Sequence, residues 1–528
     1  MKTSLAQLPT EIIEAIISLL PVTTIVACSQ VSQQWRHLVL QSPYLQYKVD
    51  LRVAGLEDNS SFRPDLSIAE RHNQLRLHSA AWDRLQWNST EDFTIYYGPW
   101  EFLSGILVTS DGSGLDQFNL GLAPKDTRFK FKQPPSVYTH STERCWEICL
   151  ADIRVHDFIV DPSQDLLVAA EDLVRLHRKP CHLHVLSMTT GKSHDHAEVP
   201  RIDYQPSLQA FEFMAIKFQV QGHFLGALFS SSSTQAELVV WDWKRGIIHQ
   251  RIIGIILAFA FLTDGFLLFV SKATLAAADV PVFNVIDLAR DHAQTTNLGD
   301  VEYVCTFEYP PIPLDLSPWQ YTMVEIRTDP LSFVPDSALF NTSSADQLFV
   351  ITCVVQEASV LVVPLSTFMA HIRLCLPKAY GDQKSPRFFS FQEWGQMGSR
   401  IFFVQPSDVW ICYAHGMKFI VLEEGADNML VFDFNRLALR KAEANPSNNP
   451  STMEIVTSQS SVNPILDELQ TSPLTESDLT TSLPYRVKKV PVPQRPGEDP
   501  VQAVMISETS IIAVLSVEED MIFRILSF

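Results

Sequence analysis

The sequence predicts an α+β multidomain chain: a small N-terminal helical unit and a linker helix, followed by a large all-β domain. Three observations lead there. Apolar residues recur at helical spacing in the first ~50 residues and again up to Trp87. From about residue 93 that periodicity fades, and short Val, Ile, Leu, Phe and Trp runs alternate with turn residues. Within this second region one strand-end pattern recurs at long intervals.

The helical elements follow from apolar spacing and punctuation. Pro9 suits a first helical turn, where its missing N–H costs nothing. Ile12, Ile13, Ile16, Ile17, Leu19 and Leu20 continue that helix, and Pro21 stops it. Thr23 or Thr24 caps a second short helix through Ile25, Val26 and Cys28. A third, from about Val31 to Leu40, places Val31, Trp35, Leu38 and Val39 on one stripe. Residues 55–65 read as a loop. In ERHNQLRLHSAAWDRLQW, residues 70–87, Leu75, Leu77, Ala81, Trp82 and Leu85 form an apolar face, opposed by Glu70, Arg71, Arg76 and Arg84. The expected boundaries are 1–50 for the helical unit, 51–92 for the loop and linker helix, and 93–528 for the β domain. A Ser/Thr/Asn/Pro-rich stretch at 441–484 reads as a disordered loop insertion in that domain.

Composition narrows the function. Hydrophobic residues make up 46% of the 528, so the chain can bury a sizeable core. A net charge of −20 argues against non-specific nucleic-acid binding, which needs clustered Lys and Arg. Eight scattered cysteines are no disulfide scaffold and favour a reducing compartment, so a cytoplasmic or nuclear location is expected. MKTSLAQLPTEII lacks the apolar core of a signal peptide. The sequons at Asn59, Asn88 and Asn341 carry little weight without one. The apolar stretch 252–270 is divided by Thr263-Asp264-Gly265 and reads as two buried strands, not a membrane span.

Leu5 to Leu45 resembles an F-box. The resemblance rests on Leu8-Pro9, Glu11-Ile12-Ile13, Ile16, Leu19-Leu20, Val31-Ser32, Trp35-Arg36 and Leu38. Gln33-Gln34 stand where the commonest form has Cys-Arg. With the 70–87 helix, the chain is similar to F-box proteins of mushroom-type (basidiomycete) fungi. The resemblance implies a substrate-recognition adaptor of an SCF-type E3 ubiquitin ligase. Such a chain binds Skp1, and through it the cullin and RING subunits, and holds a target protein on the β domain. It implies no enzyme activity, no cofactor, no nucleic-acid partner and no membrane. Carried over residue by residue, the Skp1 contacts would be Leu8, Pro9, Ile13, Ile16, Leu20, Pro21, Val31 and Trp35. The alternative is that several, Ile16, Val31 and Trp35 foremost, are internal core and affect Skp1 only through folding.

The recurring pattern is apolar-apolar-(Asp/Asn/Ser/Pro)-apolar. Its third position falls at Ser187, Asp242, Asp287, Pro364, Asp433 and Ser527, with a weaker copy at Asn119. LVVWDWKRG, Leu238 to Gly246, resembles the end of the third strand of a WD40 blade. The expectation is a degenerate seven-bladed β-propeller, with another all-β fold as the alternative. The departures are only 19 Gly and a Gly222-His223 pair too close to Trp241-Asp242.

Catalytic chemistry finds no support. Cys181, His182, His184, His194 and His196 are dense in possible ligands but match no standard zinc spacing, so no metal is expected. Cys145 and Cys149 read as strand or turn residues. Phosphate-binding Gly loops, nucleophile elbows and kinase motifs are missing from the sequence. Glu423-Glu424 and Glu518-Glu519 read as solvated strand ends, and Arg486, Lys488 and Lys489 as a linker. Two further readings stay open: a Skp1-binding scaffold outside any SCF complex, and a β-propeller enzyme with a helical appendage.

Overall fold

The computed structural model describes residues 8–96, 98–111, 126–138, 140–171, 180–207, 215–230, 235–275, 278–290, 295–310, 323–329, 338–354, 358–379, 386–403, 414–423, 428–444, 446, 453–458, 480–517 and 520–528. Helices α1 (Thr10–Ser18), α2 (Val22–Cys28) and α3 (Gln33–Gln41) lie where three were expected, but α2 is entered at Pro21, so Thr23 and Thr24 fall inside its first turn and neither caps it. α3 starts two residues later than read, because the Ser32 hydroxyl accepts the Trp35 N–H at 3.3 Å and sets the start. A fourth helix, α4 (Pro43–Ala54), was not foreseen and crosses the expected boundary at 50. Its signals are local: Ser42 caps Leu45 N–H, Pro43 takes the first turn, and Gly55 ends it at φ +75°. The linker helix α5 (Ile68–Arg84) is closed by a capping box between Ser67 and Glu70.

Among the described residues, the strands of the β domain form seven blades of four or five strands, antiparallel except for the parallel fifth strands Thr296–Asn297 and Arg387–Phe389. Their innermost strands are Trp100–Leu103, Val155–Asp161, Ala215–Gln221, Ile256–Thr263, Met323–Arg327, Ala414–His415 and Val501–Ile506. These first strands neighbour one another around an axis. The third strands of blades 2 to 7 end at Ser187, Asp242, Asp287, Pro364, Asp433 and Ser527, the six strong positions of the repeat. The motif has a physical cause. Asp242 Oδ1 accepts the N–H groups of Lys244 and Arg245, Asp287 that of Ala289, and Asp433 that of Asn435, each capping the turn. In blade 1 the third strand is Thr127–Gln133, so the weak copy at Asn119, outside the described residues, precedes it. The stretch 252–270 contains Ile256–Thr263 and the first half of the strand Phe266–Leu275, paired across the Asp264-Gly265 turn. None of the described helices is long and apolar enough to cross a membrane.

The propeller closes by pairing Ser89–Tyr96 with Asp520–Ser527, so blade 7 takes its outer strand from the start of the β domain. Its pairing begins at Ser89, four residues before the expected domain start. Arg524, 2% exposed on its side chain, clasps that joint through Asp92 at 2.8 Å and Glu498 at 2.6 Å. The core is a set of inter-blade clusters. One, between blades 2 and 3, buries Trp241 and Trp243, whose indole donates to the Gly222 carbonyl in the first turn of blade 3. Gly222 therefore serves that turn and seats Trp243.

The β domain also carries helices the reading did not anticipate. α6 (Leu365–Ala379) and α7 (Phe391–Trp394) pack Phe368, Ile372 and Trp394 onto blades 4 and 5. α8 (Arg436–Ala444) follows the third strand of blade 6 and takes in the start of the 441–484 insertion. Met453–Val456, also within it, pairs with Tyr485–Pro491 as a fifth strand, since its Ile455 and Val456 suit a sheet edge. The rest of that insertion lies largely outside the described residues.

Candidate partner interface and its seat on the propeller

α1 to α4 enclose a small core of Ile13, Ile17, Ile25, Val39 and Leu45. Five residues offer little area to bury, which fits a unit that gains stability by packing on something else. α1 is apolar on two sides. Ile13 and Ile17 face inward, while Leu8, Ile12, Ile16 and Leu19 recur at helical spacing and stay exposed. Leu19 is 84% exposed and Val31 74%. Val26, Leu40 and Tyr44 add further exposed apolar surface on α2 to α4. Lys48 Nζ donates to the Ser18 and Leu20 carbonyls at 2.6 and 3.1 Å, satisfying the C-terminal end of α1.

Of the eight residues carried over as contacts, Leu8, Pro9, Ile16, Pro21 and Val31 are exposed. Ile16 and Val31 are therefore surface residues, not internal core. Ile13 is the reverse, 4% exposed within the core, with little surface left to offer a partner. Leu20 and Trp35 are half-buried against that same core. Ile12, Leu19, Val26, Leu40 and Tyr44 were missed as candidates; the phase of α1 relative to its inward Ile13 and Ile17 is the signal that picks out Ile12 and Leu19.

The helical unit is fixed to the propeller by three kinds of contact. The first is a strand: Leu56–Asp58, read as loop, pairs antiparallel with Phe340–Thr342 ahead of the second strand of blade 5. The second is apolar. Tyr47, Leu51 and Leu75 pack on Leu339 and Phe340, and Trp82 stacks on Phe528 with ring centroids 4.1 Å apart. The third is charged and hydrogen-bonded. Arg52 forks onto Asp346, Asn435 Nδ2 donates to the Val53 carbonyl at 3.0 Å, and Trp82 Nε1 donates to the Glu508 carbonyl at 3.0 Å. Arg486 bridges Asp83 and Asp433 at 2.9 and 2.6 Å. The basic cluster read as a linker thus lies in blade 6 and holds α5.

Buried charge makes this seat electrostatically coupled. His415 Nδ1 lies 2.5 Å from Asp329, and His78 Nε2 lies 2.8 Å from Glu508. Burial opposes charge on His415, but the carboxylates of Asp329 and Glu508 raise its pKa to about 9. Burial likewise opposes ionised Glu508, yet Lys418, His415 and His78 hold it well below the usual carboxylate range. Burial beside Arg486 brings Lys488 down to about 8.

These contacts fix which end of the propeller is occupied. Glu508 lies in the first-to-second turn of blade 7, and Asn435 follows the third strand of blade 6. α5 therefore covers the end where the first strands finish. The end where the first strands begin points away from the helical unit.

Residues 5–52 match the F-box-like family. The F-box-like domain thus comprises α1 to α3 and most of α4. Domains of this family bind Skp1-like partners in general, and an F-box-like domain joined to a propeller is the layout of a protein–protein interaction adaptor. No curated protein sequence matches the chain. Among solved structures it is similar to an uncharacterized protein of Listeria monocytogenes EGD-e, at 8% identity and TM-score 0.26, covering 66% of this chain and 96% of that one. It is also similar to the WD40 domain of SCAP from fission yeast, at 9% identity and TM-score 0.25, covering 83% and 98%. The architecture rests on the strand pairing, not on these likenesses.

The former metal candidates are spread out. His182 pairs with Asp203 at 2.6 Å, His184 with Glu171 at 3.1 Å, and His194 with the Gln164 carbonyl at 2.8 Å, beside Trp243. Cys181 is buried. Among the described residues no three His, Cys, Asp or Glu side chains are grouped to hold a metal ion. Cys145 and Cys149 are exposed on the fourth strand of blade 1.

Proposed function

We propose that the chain is the substrate-recognition adaptor of an SCF-type E3 ubiquitin ligase. The exposed apolar row Leu8, Ile12, Ile16 and Leu19, with Val31, is the observation that carries this reading. Such a row is costly in water and gains about 25 cal/mol per Å² when a partner covers it. Skp1 is that partner, and cullin and RING subunits follow through it. The propeller end remote from α5 receives the target protein. The adaptor performs no chemistry itself and takes no cofactor; it holds target and transfer machinery at a fixed separation, so that ubiquitin transfer proceeds by proximity. It works in the cytoplasm or nucleus.

The test is a pull-down of the full chain with Skp1, beside Leu8→Ala/Pro9→Ala and Leu19→Asp variants, with mass spectrometry of the retained proteins. Wild type should retain Skp1 and cullin, and the folded variants should lose both. Skp1 without cullin would mean a scaffold outside the SCF complex. Retention of neither by wild type would overturn the adaptor reading.

A further inference from the structure

The propeller axis holds a cavity of about 590 Å3, lined by residues of six of the seven innermost strands, early or middle ones in five and the last three of Met323–Arg327. That volume lies within the range of small-ligand and side-chain pockets, roughly 300–1,000 Å3. Its walls mix Trp100, Phe158, Phe218 and Phe259 with charged groups. The register of three innermost strands shifts at this end, between Val155 and Asp157, Ile256 and Ala258, and Val501 and Ala503. His156 and Gln502, the residues skipped at two of these shifts, both line the cavity. Bulges of this kind re-aim side chains and concentrate beside binding sites.

Three carboxylates, Glu101, Asp157 and Glu325, share the lining with two cations, Lys217 and Arg327, which leaves one carboxylate in excess. Arg327 is held by Glu325 at 2.9 Å, and Lys217 Nζ donates to the Val324 carbonyl at 3.3 Å. Glu101 and Asp157 form no ion pair among the described residues; Asp157 accepts only the Phe158 N–H, at 2.8 Å. Burial is the main cause that pushes the Glu101 carboxyl up to about 7 and Asp157 up to about 6; the charge of Arg327 opposes both shifts, while Asp157 and Glu325 add to the one at Glu101. Two desolvated carboxylates beside aromatic faces favour an organic cation, through ion pairing and cation–π attraction. A chain of net charge −20 also attracts basic partners from a distance.

We infer that this cavity receives a Lys or Arg side chain of the target protein, with Glu101 and Asp157 as its counter-charges. The inference rests on the propeller being the capture module. It also gives that module a chemical preference: a basic segment, delivered to the end opposite the F-box-like domain.

The test uses the full chain and fluorescein-labelled Gly-Ser decapeptides with one central Lys, Arg, norleucine or Glu, read by fluorescence anisotropy. The Lys or Arg peptide should bind at least tenfold tighter than the norleucine and Glu peptides. Glu101→Gln/Asp157→Asn should remove at least tenfold of that affinity without lowering the unfolding temperature. Gln502→Lys, which adds a cation at the exposed mouth, should do the same. Equal affinity for all four peptides, or no effect of either variant, would overturn the inference; so would competition-free binding of spermine with no peptide bound. Skp1 retention, measured on the same preparations, separates the two readings. Retained Skp1 with no peptide preference sinks only the cavity assignment, whereas peptide preference without Skp1 sinks only the adaptor.

Discussion

Replacing Trp82 tests how the helical unit is held. Its side chain is 5% exposed, stacks on Phe528 and lies under Lys418, whose Nζ is 4.8 Å from the ring. Its indole N–H satisfies the Glu508 carbonyl. Trp82→Ala removes all of this and should cost about 3–5 kcal/mol at the seat. Trp82→Phe keeps a ring on Phe528 but leaves the carbonyl unpaired, so its cost should be about 1–2 kcal/mol. The measurement is amide hydrogen exchange, because a chain of seven blades need not unfold in one step. In Trp82→Ala, exchange in α5 should accelerate by about two to four orders of magnitude, with blades 2 to 4 unchanged. Trp82→Phe should accelerate it by about tenfold. Unchanged α5 exchange in Trp82→Ala, or equal damage from both variants, would refute the idea that this ring anchors the helix.

Three further outcomes are expected. Leu19→Asp and Val31→Asp should abolish Skp1 retention while shifting stability by no more than about 0.5 kcal/mol, whereas Ile13→Ala should cost about 2–5 kcal/mol and weaken retention only through unfolding, as pull-downs beside denaturant titrations would show. His415 has a folded pKa above its ordinary value of 6.5, so the stability it contributes is fully present below about pH 6.5 and lost as pH rises through about 9. Lys488, lowered to about 8 from its ordinary 10.5, acts in the opposite sense and adds stability as pH rises between those values, so thermal unfolding of His415→Gln should lose the histidine's decline and keep the lysine's rise. Arg524→Leu removes the buried cation that Asp92 and Glu498 share and leaves Asp92 only the exposed Arg495 at 2.9 Å, so it should lower stability by at most about 3 kcal/mol, seen as early proteolysis of the Ser89–Tyr96 strand.

What the sequence made legible was what local chemistry encodes. Asp242, Asp287 and Asp433 could be found because each carboxylate caps a turn within three residues of itself. Leu8-Pro9 and Trp35 carried the F-box resemblance because they sit in one short helical stretch. The two faces of α1 were ambiguous because Ile12, Ile13, Ile16 and Ile17 are all apolar, and only packing decides which pair turns inward. The seat was illegible. Leu56–Asp58 looks like loop until Phe340–Thr342 is beside it, and nothing near Trp82 in sequence announces Glu508, 426 residues away. The cavity is assembled from six innermost strands, each contributing one to four residues, and Met521 of Asp520–Ser527, so no window of sequence contains it.

The closure of blade 7 has a consequence for the order of events during synthesis. The Ser89–Tyr96 strand and α5 leave the ribosome long before Asp520–Ser527 exists; Asp92 waits for Arg524 across 432 residues. At about 5–20 residues per second that is roughly 20–90 s. During this interval the F-box-like helices are already complete, and their exposed row is open to a partner before the propeller has a shape. On the proposed function, a nascent or truncated chain would then occupy Skp1 without a finished propeller, and the pairing of blade 7 would mark the moment at which the molecule becomes selective.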